Sequence, residues 1–346
     1  MQKIALIGFG TVGQGLCEIL RDKKDELNKK YNYDWKIVAV SDVMKGSVYC
    51  RDGLNVEKLL NFAASGRSLD EYDCKCNADI LETGWDALRT INESNADVIC
   101  ELAFTDLQTG EPAISHCKAA FESGKHIVTS NKGPAALAYQ EMLKLAQNNN
   151  VEFKIEGTVA SGTPILNLAE GSLAGNTITS VKGILNGTTN YILSEMENGM
   201  SYDDALAKAQ ELGYAEADPT GDVEGYDARA KVAILTNVVM GESFGINDVS
   251  CEGITKITSE DIEKAKSQNA RWKLLGSTEI IDGKVVASVR PEMVPMSHPL
   301  AGIMGATNAL TFTTDLMGDV TIVGAGAGKI ETGFSILTDL LAIERG

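Results

Sequence analysis

Near the N-terminus an apolar run, Lys3 to Ile7 (KIALI), breaks into Gly8-Phe9-Gly10-Thr11-Val12-Gly13 and continues as a helical pattern, LCEILRDKKDELNKK. Strand, Gly-x-Gly-x-x-Gly, helix, in that order, opens a doubly wound α/β sheet. One glycine permits the tight turn, the next lets the backbone approach a pyrophosphate, and the third lets helix and strand pack closely. The anion then sits at the helix N-terminus. Glycine-rich turns are common, so the motif takes its meaning from this context. It makes residues 8 to 13 candidate dinucleotide contacts.

The next segments keep the same grammar. Lys36 to Val40 (KIVAV) is a second strand ending in Ser41-Asp42. An acid there accepts hydrogen bonds from a ribose and repels a 2′-phosphate, so Asp42 favours NAD over NADP. It lies 29 residues beyond Gly13, farther than usual, and a plain strand-end turn Asp is the other reading. Residues 43–90 show polar loops and short helical patterns without recognisable chemistry. Asp97 to Phe104 is a buried-strand run leading into Thr105-Asp106, Glu111 to Ser123 an amphipathic helix, and His126 to Thr129 the next strand. This βαβ alternation predicts a parallel sheet. Ser130-Asn131-Lys132-Gly133-Pro134 follows as a strand-end loop entering a helix. Ligands gather at such strand ends, which puts Lys132 within reach of a nicotinamide or its substrate; an ordinary solvated loop lysine is the alternative.

A chain of 346 residues has room for two domains. Its net charge of −17 argues against nucleic acid as a partner. No run of 18 apolar residues predicts a membrane span, and MQKIALIGFG does not read as a signal peptide. Seven cysteines without framework spacing suit a reducing cytoplasm. Cys74 and Cys76 have no nearby histidine, so they read as reduced loop thiols and not as zinc ligands.

From Val151 the texture changes. KGILNGTTNYILSEME (182–197) joins a strand to a helix through Asn186-Gly187-Thr188-Thr189-Asn190, residues suited to capping the helix or donating to a carboxylate. Tyr202 to Leu212 is an amphipathic helix ending at Gly213, and 277–290 a hairpin turning at Asp282-Gly283. Gly324 to Gly328 (GAGAG) precedes an apolar helix, either closing over a cofactor or making a tight packing turn. Between these lies LGYAEADPTGDVEGYDARAKVAILTNVVM (212–240). At 100° per residue, Glu224, Asp227, Ala228, Ile234, Leu235 and Val238 share a face with Lys231, while Arg229 and Thr236 lie opposite. If the Arg229 face is wet, Lys231 points inward, and an inward lysine needs a partner or a task. Asp227 stands one turn back. A solvated i,i+4 ion pair is the bland alternative.

Together these segments resemble the homoserine dehydrogenase family over nearly the whole chain. The carriers are GFGTVG (8–13), SNKGP (130–134), EGTVASGTPI (156–165), NGTTNYI (186–192), LGYAEADPTGDVEGYDARAK (212–231), HPLA (298–301) and GAGAG (324–328). Ala217 replaces the family's usual Pro, and Gly333 its usual Ala. The resemblance implies an α/β chain: a Rossmann-type, doubly wound parallel sheet at 1–133, completed by 320–346, and an α+β catalytic and dimerisation domain at 134–319. It implies the short, monofunctional form and the NAD(P)-dependent interconversion of L-homoserine and L-aspartate 4-semialdehyde. Lys231 would be the proton donor, held by Asp227, with Lys132 at the reacting oxygen. Glu216, Asp222, Tyr214, Thr188 and Gly187 would bind the substrate. Gly8, Phe9, Gly10, Thr11, Val12, Gly13, Asp42, Thr105, Lys132 and Gly328 would hold NAD or NADP. A sodium ion is implied near Glu156, Val159, Ser161 and Thr163. A cytoplasmic homodimer is implied too, and the apolar stretches around 301–316 offer it a face. Hydride transfer to an aldehyde builds an alkoxide, which a nearby ammonium stabilises and protonates. Another amino-acid-linked dehydrogenase, such as aspartate dehydrogenase, would explain the first 135 residues but not Glu216 to Lys231. A non-catalytic dinucleotide-binding protein would leave Lys132, Asp227 and Lys231 without a task.

Overall fold

The computed structural model describes residues 1–73 and 81–345; Cys74 and Cys76 lie outside them. The chain divides into two compact units, Met1–Gly162 with Gly328–Gly346, and Thr163–Ala327.

In the first unit the strands are β1 (Gln2–Ile7), β2 (Trp35–Asp42), β3 (Gly46–Cys50), β4 (Leu81–Thr83), β5 (Val98–Glu101), β6 (His126–Thr129) and β7 (Phe153–Lys154). They form one sheet in the order β4-β3-β2-β1-β5-β6-β7. β2, β1, β5, β6 and β7 run parallel, and β3 and β4 are antiparallel at one edge. Ile4, Ala5 and Leu6 of β1 are fully buried, as a central parallel strand covered on both faces requires. The edge strands arise in the 43–90 region, where the sequence shows no strand. They are short and carry no apolar run, so only pairing with β2 defines them.

The chain leaves β1 toward β2 and returns on β1's other side as β5. That reversal opens a crevice at the carboxyl ends of β1 and β5. The first helix after the glycine loop, Thr11–Asp22, packs against the closing helix Lys329–Arg345. Two glycines make the crossing close. A Cβ on Gly15 would stand 2.1 Å from the Lys329 carbonyl oxygen, and one on Gly333 would stand 2.6 Å from the Leu16 nitrogen. Ile336, Leu337 and Leu340 thereby join Leu16 and Leu20 in one core.

The second unit is built on β8 (Ile178–Ile184), β9 (Ser250–Cys251), β10 (Ala270–Ile281), β11 (Lys284–Pro295), β12 (Thr307–Thr314) and β13 (Gly318–Ala325). Their order is β13-β12-β8-β10-β11-β9, antiparallel except for the β11–β9 edge. The long β10–β11 hairpin turns at Asp282 (φ 50°) and Gly283 (φ 75°); this two-residue left-handed turn matches the strand twist. Helix Tyr226–Val239 lies on this sheet at Gly276, where an added Cβ would meet Val232 and Leu185 side chains at 2.6 Å. The apolar residues of 301–316 are largely consumed internally, since Ala301, Ala309, Leu310 and Phe312 are buried within the chain. Leu316, at the end of that stretch, is exposed, and so are Ile280, Ile281, Val286, Met293, Met317 and Val323 among others of this unit. Among the described residues no helix is long and apolar enough to cross a membrane.

Candidate active site

In the first unit the glycines of the opening motif have separate tasks. Gly8 has φ +100°, and a Cβ on it would lie 2.4 Å from the Leu102 carbonyl oxygen, so the turn is pressed onto the end of β5. A Cβ on Gly13 would meet the Gly8 oxygen at 2.8 Å, but nothing lies within 4 Å of one on Gly10. Glycine at position 10 is therefore unexplained by packing, and the open space is what a pyrophosphate needs. Gly10 caps the helix without a side-chain bond, leaving the first N–H groups, those of Thr11, Val12 and Gly13, to an anion.

Asp42 ends β2 against this loop. Its Oδ2 accepts from the Phe9 N–H at 2.7 Å, and its Oδ1 accepts from the Met44 and Lys45 N–H groups, each at 2.9 Å. A carboxylate has about four lone-pair positions, so room remains for a ribose hydroxyl. Val43, next to it, is fully exposed and brings no charge for a 2′-phosphate.

At the end of β6, Asn131 caps helix Lys132–Leu137 by accepting from the Gly133 N–H at 2.9 Å. Its Nδ2 donates to the Ala103 and Phe104 carbonyls, each at 3.2 Å. Lys132, half-buried, is thus presented at the first helical position beside the β5 end, with Thr105 one residue beyond Phe104. Gly328 has φ +141°, a conformation essentially reserved for glycine, just before helix Lys329–Arg345. The turn after β7 contains buried Glu156 and, at Ala160 and Ser161, successive non-glycine φ values of 55° and 53°. Such backbone persists only where its surroundings fix it. Its oxygen donors, the Glu156 carboxylate and the backbone carbonyls, suit a hard cation. No group of three or more His, Cys, Asp or Glu among the described residues could hold a metal.

In the second unit an acid–amine cluster forms where β8 ends. Lys231 is 8% exposed. Its Nζ donates to Asp227 Oδ2 at 2.6 Å and to the Leu185 carbonyl at 2.8 Å. The lysine does point inward, though for a different reason from the wheel. Arg229 is half-buried, donating to the Ile246 carbonyl at 2.7 Å, and Thr236 is fully buried, so no single face is wet. Glu224 is not on this helix either, because Gly225 (φ 82°) breaks the chain between a short helix, Thr220–Val223, and Tyr226.

Asn186 ties the cluster together. Its Oδ1 caps helix Gly187–Glu197 by accepting from the Thr189 N–H at 2.9 Å. Its Nδ2 donates to Asp222 Oδ1 at 2.7 Å and Asp227 Oδ2 at 3.1 Å. The sequence suggested capping or donation to a carboxylate; the structure makes one side chain do both. Burial pushes the Asp222 carboxyl above its usual range, the Asn186 bond holds it back, and the Asp227 charge raises it further. Gly187 packs tightly, as a Cβ there would stand 2.7 Å from the Ala306 oxygen. Thr188 Oγ1 donates to the Tyr214 carbonyl at 2.7 Å. Tyr214, whose ring leans on Tyr191 at 5.0 Å, is exposed. Glu216 is exposed too, and its backbone carbonyl accepts from Gln210 at 3.0 Å. The structure therefore gathers Lys231, Asp227, Asp222 and Asn186 into one network, while Glu216 is exposed and shares none of these bonds.

Residues 8–156 match the family model described as homoserine dehydrogenase, NAD binding domain, and residues 164–341 match that described as homoserine dehydrogenase. The chain is 46% identical over 346 residues to an NAD(+)-dependent homoserine dehydrogenase from Pseudomonas canavaninivorans, covering 99% of this chain and 96% of that protein. It is 42% identical over 341 residues to a homoserine dehydrogenase from Methanocaldococcus jannaschii, covering 98% of each. Among solved structures, a putative homoserine dehydrogenase from Archaeoglobus fulgidus superposes with a TM-score of 0.87 at 38% identity, covering 99% of both chains.

Proposed function

The chain belongs to the homoserine dehydrogenase family, and we propose that the Lys231–Asp227–Asn186–Asp222 network is the chemical centre through which it acts. It is an NAD(P)-dependent oxidoreductase of the CH–OH group, interconverting L-homoserine and L-aspartate 4-semialdehyde in threonine and methionine biosynthesis.

When bound, the nicotinamide supplies or accepts the hydride. Lys231 handles the proton. An ammonium has three N–H donors; Asp227 and Leu185 engage two. The third serves the oxygen that becomes negative as the aldehyde is reduced. In the reverse direction the neutral amine takes the hydroxyl proton. Asp227 keeps the nitrogen aimed. Lys132 adds a second positive charge for the reacting oxygen. Asp222 and Glu216 accept the substrate's α-ammonium, with Thr188, Gly187 and Tyr214 completing that end. The single observation that carries this assignment is the buried amine held at 2.6 Å by Asp227.

The dinucleotide is held by residues 8 to 13, Asp42, Thr105, Lys132 and Gly328. Asp42 beside an uncharged Val43 supports a preference for NAD. Glu156, Val159, Ser161 and Thr163 would hold a sodium ion that fixes their turn. Exposed Ile280, Ile281, Leu316, Met317 and Val323 support a homodimer, which sedimentation at micromolar concentration would show; a monomer would refute it. The buried thiols Cys17, Cys50, Cys100 and Cys117 fit a cytoplasmic location. Initial rates with homoserine and with aspartate, each with NAD and NADP, test the whole: turnover of homoserine alone, faster with NAD, is expected. Turnover of aspartate would overturn the substrate assignment.

A further inference from the structure

A second buried polar network, in the first unit, is used by none of the chemistry above. Glu101, the last residue of β5, is fully buried, and His116, within helix Ala113–Glu122, is 5% exposed. The His116 Nδ1 lies 2.5 Å from Glu101 Oε2. A carboxylate only accepts, so the imidazole proton is assigned to Nδ1. The other carboxylate oxygen, Oε1, accepts from the Ala103 N–H at 2.9 Å. The carbonyls of Ala103 and Phe104 accept from Asn131, whose Oδ1 fixes the Gly133 N–H. A parallel link runs through Thr129, whose hydroxyl donates to the Glu101 carbonyl at 2.6 Å and accepts from the Asn131 N–H at 2.9 Å.

The connected groups join the carboxyl ends of β5 and β6. They bend the chain at Leu102–Phe104, the segment on which Gly8 is pressed, and they set the helical turn that begins with Lys132. A charge this deeply buried is costly unless partnered, and a hydrophobic pair would fill the same space. Joining the hydrogen-bonded pair to the backbone of two strand ends gives it a geometric task.

We propose that His116 is a positioning residue for hydride transfer: through Glu101 it fixes the 102–104 bend against which Asn131 sets Lys132. This rests on the assignment of Lys132 to the reacting oxygen. Without the imidazole, the Glu101 carboxylate loses the partner that fixes its rotamer, and the Ala103 N–H loses a fixed acceptor. The bend then loosens and Lys132 with it.

The test is a double-mutant cycle on the full chain, with kcat for homoserine, KM, NAD affinity and thermal midpoint measured. Lys132→Ala should lower kcat more than about tenfold. His116→Leu should lower kcat about tenfold with NAD affinity within about threefold, and should change kcat less than about twofold in the Lys132→Ala background. His116→Gln, which keeps a donor for Glu101, should recover most of the rate. A full His116→Leu effect in the absence of Lys132, or a lowered thermal midpoint with unchanged kcat, overturns the proposal. If Lys132→Ala alone stays within about threefold of wild type, the Lys132 assignment is what has failed, and the proposal falls with it. Should His116→Leu fail to fold, Glu101→Gln, similar in shape but a weaker partner for His116, takes its place in the same cycle.

Discussion

Replacing Lys231 with alanine removes two things at once, and their sizes can be separated. The amine donates to Asp227 at 2.6 Å and to Leu185 at 2.8 Å from a site 8% exposed. Loss of a positioned proton donor typically lowers the rate by ~10²–10⁴, a barrier increase of about 3–5 kcal/mol. Breaking a buried ion pair costs about 3–5 kcal/mol of stability. Here Asp227 keeps its Asn186 bond and its side chain is 22% exposed, so solvent screening brings the cost below that range, to about 2–3 kcal/mol. For a unit of this size that is a fall of about 5–10 °C in the thermal midpoint. Lys231 is not among the residues proposed to hold the dinucleotide, so NAD affinity should stay within about twofold. Asp222 supplies a third signature. Burial already raises it, Asp227 adds to the rise and Lys231 opposes it. Without the amine it rises further, and homoserine binding, if it uses the Asp222 carboxylate as proposed, should weaken at a higher pH than in wild type. Initial rates in both directions across pH, with calorimetric NAD binding and melting curves, read all three. Lys231→Met, which keeps the stem, should recover part of the melting temperature but none of the rate. A Lys231→Ala enzyme within about threefold of wild type in kcat, or a rate loss mirrored by equal loss of NAD affinity, would remove this lysine from the chemistry.

Asp42→Ala should weaken NAD about tenfold and NADP less; equal losses would show that Asp42 serves only the Phe9, Met44 and Lys45 amides. Gly333→Ala places a Cβ 2.6 Å from the Leu16 nitrogen, and overpacking of about 1–3 kcal/mol should outweigh the helix preference of alanine, about 1 kcal/mol, lowering the thermal midpoint. A higher midpoint would mean the two helices reseat without cost. Lys273 is 1% exposed and donates to Asn190 at 2.8 Å and to the Ile303 carbonyl. Burial, with Arg271 nearby, pulls its amine down to about 8. The unfolded chain then holds this proton more tightly than the native one, so wild type gains stability as pH rises above 8. Relative to Lys273→Met, urea unfolding should show a gain of about 2 kcal/mol between pH 8 and 9.5; parallel pH dependence of the two proteins would disprove it.

The elements legible in the sequence are those governed by neighbours along the chain. The glycine loop and its helix, the strand–helix alternation, the Asp282-Gly283 turn and the Asp227–Lys231 spacing follow from local sterics and periodicity, which any stretch of chain carries with it. Lys231 could thus be singled out, and Asn186 was flagged as a cap or a carboxylate donor. That it bridges Asp222 and Asp227, 36 and 41 residues away, required the β8 end and the 219–225 turn to be brought together. Tertiary contacts likewise decided the edge strands of 43–90, the burial of 301–312, the position of Glu224 off the helix and of Glu216 in solvent. The pairing of His116 with Glu101 is of the same kind. Each depends on which distant surface covers a residue, and a pattern of apolar and polar letters sets how much is buried while leaving open what lies against it.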